Sequence, residues 1–348
     1  MSPIWVDVDA GRHARRLLPF CIPLDADMVP DNESVACLDR EGLKRSIPCQ
    51  LEKLADQTRL WWIINEMEPD EKDRYSLSFD RRQRNSPIHW KIESTPKGWT
   101  LAEQDLRVLN LITGRGNPVS LLLSGPAGRL GRVHPGAFLQ VENQPHHRRA
   151  PARPAIVARG PVFARISLAF DVRDEHDLLL MREEIDVRVF PGQRGARVID
   201  VDFAWIAAAS PITLINPSSS QPVFWPTVIL EPETADFQVT SSSGRIGLKE
   251  ISGHRAEWID VDLGLVRWVT IARSASFGFP PRVNWNPPVL ELSPPVSDSP
   301  PVRGPIRLAL GEEYRLSLRL LIMPTIGRTV DDVISMSLDP SCKVTATP

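Results

Sequence analysis

A two-residue rhythm runs through most of this chain and limits what it can fold into. Ile166, Leu168, Phe170 and Val172 alternate with Arg165, Ser167, Ala169, Asp171 and Arg173. Ile199, Val201, Phe203 and Trp205 alternate with Asp200, Asp202 and Ala204. Ile259, Val261 and Leu263 bracket Asp260 and Asp262. Ile306, Leu308 and Leu310 lead into a turn at Gly311, after which Leu316, Leu318, Leu320 and Ile322 resume the pattern. Successive side chains of a strand point to opposite faces, so each segment puts one face in a core and the other in water. Turn formers separate the segments: Pro191-Gly192, Asn216-Pro217-Ser218 and Ser243-Gly244. The chain holds 33 prolines in 348 residues, nearly twice the usual ~5%, and proline disfavours helix interiors and central strands alike. The fold class is therefore all-β, a large antiparallel β-sandwich of supersandwich or jelly-roll-like form preceded by a small N-terminal β unit. Short helices are expected only within 331–338 and 34–42.

The chain divides after residue 80. Residues 1–80 form the small N-terminal β-sandwich unit: Ile4, Val6 and Val8 start a strand, and Leu60 to Ile64 is a buried strand carrying Trp61 and Trp62. Residues 81–348 form the main β-sandwich domain. The polar stretch 80–86 suits a linker or hairpin excursion. Two proline-rich stretches, 144–161 and 279–305, read as long loops, the first of them basic and lying at a rim.

Charge excludes a class of partners. The 41 Lys and Arg against 43 Asp and Glu leave a net charge of −2, too neutral for a chain whose main partner is a polyanion, so no nucleic acid is expected. The longest unbroken apolar run, Phe203 to Ala209, falls far short of the roughly 18 residues a membrane helix needs. Asp7, Asp9, Arg12, Arg15 and Arg16 interrupt any secretory leader, and the expected location is cytoplasmic. Cys21, Cys37, Cys49 and Cys342 contain no C-x-x-C pair and build no disulfide framework. The glycine-rich phosphate loops and the G-x-S-x-G elbow are missing, which disfavours nucleotide-dependent and serine-hydrolase chemistry; no cofactor is expected. Arginine supplies 34 of the 41 basic residues, a matter of codon usage or of planar recognition of carboxylates.

Chemistry-bearing residues cluster at His134, in Val133-His134-Pro135-Gly136, and at His146 and His147, in Pro145-His146-His147-Arg148. Between them, alternation puts Gln140 and Glu142 on one strand face. Imidazoles titrate near neutrality and serve as acid or base, and Arg148 and Arg182 suit the anchoring of an anionic group. The same set admits a two-His-one-carboxylate iron site, although adjacent His146 and His147 cannot point the same way on a strand. Glu183 and Glu184 fall on opposite strand faces, so Glu184 is the carboxylate that shares a side with Arg182. Trp285, with Asn284 beside it in the proline-rich stretch, suits a stacking platform, whereas Trp61, Trp62 and Trp205 suit a core.

Several motifs together resemble a known family. They are Gly195-Ala196-Arg197-Val198-Ile199-Asp200-Val201-Asp202-Phe203 with Pro211-Ile212-Thr213-Leu214, then Gly244-Arg245, Arg255-Ala256-Glu257-Trp258-Ile259-Asp260, and Leu308-Ala309-Leu310-Gly311-Glu312-Glu313-Tyr314-Arg315-Leu316. Over roughly residues 105–325 the chain resembles the bacterial PmoA-like family, a domain of unknown function labelled "methane oxygenase PmoA". The resemblance implies a β-sandwich often encoded among sugar-catabolism genes, with no established activity for the family at large. The label is misleading, because this sequence offers no membrane span. Family members carry a His-Pro-His-His-Arg-Gly-like loop, which Pro145-His146-His147-Arg148 matches, with Arg149 in place of the glycine. A second histidine-bearing loop is not kept, and only Trp285 remains of it.

The leading expectation is a carbohydrate-active protein that acts on or binds a sugar or uronate, by lyase, hydrolase or epimerase-type chemistry. His146 or His147 would be the acid or base, Glu142 or Glu184 the complementary carboxylate, Arg148 and Arg182 the anchors and Trp285 the platform. The alternative is a non-catalytic β-sandwich that binds glycans or assembles with partners, and the third reading is a metal-dependent oxygenase. The first needs His134, His146 and Glu142 to share one hollow with Trp285.

Overall fold

The computed structural model describes residues 4–30, 35–43, 46–54, 57–80, 88–113, 120–125, 128–135, 140–141, 148–215, 226–230, 238–275, 280–286, 289–293, 306–325, 330–337 and 339–346. The chain is all-β, with five antiparallel sheets among the described residues, four of which stack as layers through shared apolar clusters. The widest pair is an eight-stranded sheet facing a nine-stranded one. The eight strands run in the order Arg148–Arg159, Ala164–Arg173, Leu179–Val189, Arg197–Ala207, Glu313–Pro324, Val266–Ala275, Trp258–Asp262 and Gln238–Ser241. Their inward positions are the alternating residues expected above: Ile166, Leu168 and Phe170, Ile199, Val201, Phe203 and Trp205, and Leu316, Leu318 and Leu320 all belong to one core with Leu101, Leu109, Leu121 and Val133 of the opposing sheet.

A smaller sandwich lies on the other side of the eight-stranded sheet. Its three-stranded layer (Arg15–Leu24, Thr58–Met67, Cys49–Lys53) buries Leu18, Phe20, Leu60 and Trp62 against a five-stranded layer. The five-stranded layer opens with Ser341–Ala346, which pairs along Ile4–Asp9 from Ile4 opposite Ala346 to Asp9 opposite Ser341. A division after residue 80 therefore leaves out the strand that borders the first unit's sheet. The helix Val330–Ser337 precedes it and contributes Val333 and Met336 to the contact between the units. Among the described residues no helix is long and apolar enough to cross a membrane.

Four local expectations are corrected. The stretch 34–42 contains the strand Val35–Arg40, because pairing with Lys72–Asp80 and burial of Ala36 and Leu38 outweigh any local helical preference. The basic proline-rich stretch includes a twelve-residue strand, Arg148–Arg159, where proline is tolerated because the strand is at a sheet edge and its register slips between Pro151 and Arg153 and again before Ile156. The second proline-rich stretch contains paired strands, Arg282–Asn286 and Val289–Ser293. Finally, the charged face of the central strands is not an open solvent face, and Arg188, Asp200 and Arg319 on it are buried. It meets the small sandwich.

Candidate functional site

The contact between the small sandwich and the eight-stranded sheet is part apolar and part ionic. Leu17, Trp61, Phe163, Phe190, Val269 and Leu321 fill the apolar part. Beside it, the outward positions of four adjacent strands form a row in which Arg165 stands opposite Arg188, Arg188 opposite Asp200, and Asp200 opposite Arg319. Like charges directly opposite are unfavourable, and the first pair of the row is reconciled by acids from elsewhere. Glu52 of the small sandwich accepts from Arg188 Nε at 2.9 Å and lies 3.3 Å from Arg165 Nη1, while its second oxygen accepts from the Trp61 indole at 2.9 Å. Arg165 also donates to Asp186 through Nε at 2.7 Å, and Arg188 donates to Asp202 at 2.8 Å.

Arg319 closes the other end of the row. It is wholly buried and forks onto both oxygens of Asp200, at 2.7 and 2.9 Å. Its remaining N–H groups reach the carbonyls of Met336, at 3.4 Å, and Pro19, at 3.3 Å. One guanidinium thus ties the helix and the small sandwich to the sheet. Arg273 is the extra residue of a β-bulge between Ala272 and Ser274, a device that re-aims a side chain. It contacts Asp200 at 3.3 Å and Asp339 at 2.6 Å.

This ionic contact does not close completely. A cleft of about 630 Å³ remains between the layers, with Cys21, Arg59 and Trp61 on the small-sandwich side and Asp200, Asp202, Trp258, Arg273, Arg315 and Glu257 on the sheet side. Burial pushes the Asp200 carboxyl up, but Arg319 first, then Arg273 and Arg188, outweigh it and leave the group below the ordinary carboxylate value. Burial weakens the hold of Arg188 on its proton, and Asp186, Glu52 and Asp202 more than restore it. The Cys21 thiol is pushed up to about 11 by burial, against the opposing pull of Arg273 and Arg59, so it stays a neutral thiol near neutral pH.

Those of the residues expected from sequence that are described fall elsewhere. Glu142, His146 and His147 lie outside the described residues. His134 sits on Gly128–Pro135 of the nine-stranded sheet, opposite Thr227, and Asn284 and Trp285 sit on Arg282–Asn286 of the same sheet, opposite Glu291 and Leu290. Two strands intervene, which separates those backbones by about 14 Å. Arg148 is on the edge strand of the other sheet, opposite Arg173. Arg182, half-buried, lies 3.8 Å from Asp171, and Glu184 shares its sheet face. Glu184 does not line the cleft; it stands opposite Ala204, whose other cross-strand neighbour, Arg315, does. Glu183 is wholly buried. Among the described residues no group of three or more His, Cys, Asp or Glu side chains is arranged to hold a metal ion.

Sequence reasoning missed Arg59, Asp200, Asp202 and Arg273 as site residues. The available signal was the alternation itself, which put Asp200 and Asp202 on a common outward face. No family model matches the chain, and no curated protein matches it in sequence.

Proposed function

We propose that the cleft between the two sandwiches binds a small, hydroxyl-rich ligand of the sugar class, and that binding rather than turnover is its role. The observation that carries this reading is Trp258: its half-buried indole lines a cleft whose other walls are dominated by guanidiniums and carboxylates. A flat apolar surface ringed by donors and acceptors suits the carbon-bound face and hydroxyl edge of a pyranose. The volume falls in the range of small-molecule sites, about 300–1,000 Å³.

Binding is favoured over catalysis by what the ionisable groups are already doing. Asp200 is held ionised by arginines, Asp202 accepts from Arg188, and the Cys21 thiol is neutral. Acid–base catalysis needs groups that exchange protons near the working pH. These three are engaged as ion-pair partners or kept protonated, which leaves the Glu257 carboxylate in the cleft without a second free group, among the described residues, to complete an acid–base pair. The test is calorimetric titration of the intact protein with D-glucuronate and methyl β-D-glucopyranoside, alongside product analysis after prolonged incubation. Saturable binding that Trp258→Ala weakens at least tenfold, with no product formed, is expected. Binding of neither compound, or an unaltered affinity in the variant, overturns the reading, and product formation replaces binding by turnover.

A further inference from the structure

Resting on that reading of the cleft, we infer that the site is polar along its length. Arg59 receives an acidic group of the ligand and Glu257 receives hydroxyl or ammonium donors, so the site selects sugar acids over neutral sugars. The inference starts from a broken cross-strand pair. Arg59 stands directly opposite Glu52 in the three-stranded layer, an arrangement in which opposite charges ordinarily pair. Here Glu52 is turned across the interface, and its two oxygens are taken by Arg188, Arg165 and the Trp61 indole. Arg59 is left half-buried at the cleft wall, and no described residue hydrogen-bonds or ion-pairs with its guanidinium. Its charge is felt inside the cleft, where it lowers the Cys21 thiol against the effect of burial.

Glu257 is the counterpart on the opposite layer. Its backbone is pinned at both ends: its N–H donates to Ser242 Oγ at 2.9 Å, and its carbonyl accepts from the Ala272 N–H at 2.7 Å. Its carboxylate lines the cleft and has no partner among the described residues. Arg188, Arg273, Asp200, Asp202 and Asp339, which line the same space, are each engaged in ion pairs. Arg59 and Glu257 do not pair with each other, and they come from opposite layers of the stack. A guanidinium offers five donors in a planar fork that matches a carboxylate, while an ionised carboxylate only accepts. A ligand that satisfies both carries an acid at one end and donors at the other.

The experiment compares D-glucuronate with methyl β-D-glucopyranoside on wild type, Arg59→Met, Arg59→Gln and Glu257→Gln, with thermal melting as the check on folding. Wild type is expected to bind the acid at least tenfold more tightly than the neutral glycoside. Both Arg59 variants are expected to remove that preference by weakening the acid alone, and Glu257→Gln to weaken both ligands by a similar factor. Equal wild-type affinity for the two ligands overturns the inference while leaving the sugar site standing, as do Arg59 variants that weaken both alike or neither. Binding of neither ligand overturns the inference together with the reading it rests on.

Discussion

The two faces of the eight-stranded sheet are covered by different chemistry: the face toward the nine-stranded sheet is an apolar core, and the face toward the small sandwich is part apolar and part ionic. Toward the nine-stranded sheet, Phe203, Trp205 and Tyr314 stack along neighbouring positions, with Trp205 and Tyr314 rings 5.6 Å apart at 17°. Toward the small sandwich, the alternate positions of the same strands carry Arg188, Asp200 and Arg319. An apolar interface closes wherever volumes match, because dispersion and the hydrophobic effect have no direction. An ionic interface closes only where each charge meets an opposite one in good geometry. The cleft opens on the ionic side, where Glu52 serves the sheet rather than its own neighbour. Discrete pairing leaves gaps that continuous packing does not.

The sharpest way to break this comparison is to strand one charge. Arg319→Ala leaves the carboxylate of Asp200, itself nearly inaccessible, with Arg273 as its remaining close cation, and is expected to cost about 3–5 kcal/mol of unfolding free energy. Denaturant unfolding measures it. The double variant Arg319→Met, Asp200→Leu removes both charges and should recover most of the loss. A double variant as unstable as the single one would mean that the pair acts by packing, and the distinction between the faces would fail.

One position earlier on the same strand as Asp200, Ile199 is fully buried on the inner face. Ile199→Val deletes one methylene there and is expected to cost about 1 kcal/mol. Neighbouring residues of equal burial should thus differ severalfold in sensitivity, because one substitution orphans a partner and the other only thins a contact. Comparable losses in the two unfolding curves would remove the difference.

The inner face was legible in the sequence because alternation names the residues that share a side, and Ile199, Val201, Phe203 and Trp205 do share a core. Alternation does not say what covers the other side. Arg188 and Glu52 are 136 positions apart, and nothing in local spacing brings them together, so Asp200 and Asp202 looked like ordinary solvated positions. Proline misled for a related reason: it argues against a central strand, and Arg148–Arg159 is an edge strand with register slips. The histidine-rich motif drew attention by residue type. Arg59 belongs to no motif, and its interest comes from a pairing with Glu52 that fails, while Glu257 falls within the Arg255–Asp260 motif without that motif saying what it faces; only the assembled layers reveal either.

The finest discrimination within the ionic face is protonic, and it contrasts Asp200 with Asp260, which lies two strands beyond Arg319's own strand. Both carboxyls are nearly inaccessible. At Asp200, burial is outweighed by Arg319, Arg273 and Arg188, and the group sits below 3.8; at Asp260, burial outweighs the attraction of Arg267, and the group sits above 3.8. The linkage signs are opposite. With the folded value depressed, Asp200 contributes stability that is complete above the unfolded value and is lost as pH falls through the folded one. With the folded value raised, the contribution of Asp260 is complete below the unfolded value and is lost as pH rises through the folded one. Carbon-13 shifts of the two carboxyls, followed as the folded protein is acidified, should show Asp260 taking up its proton first and Asp200 only at lower pH. The reverse order would mean that the guanidiniums around Asp200 do not compensate its burial, and the ionic face would then owe its stability to the apolar residues beside it.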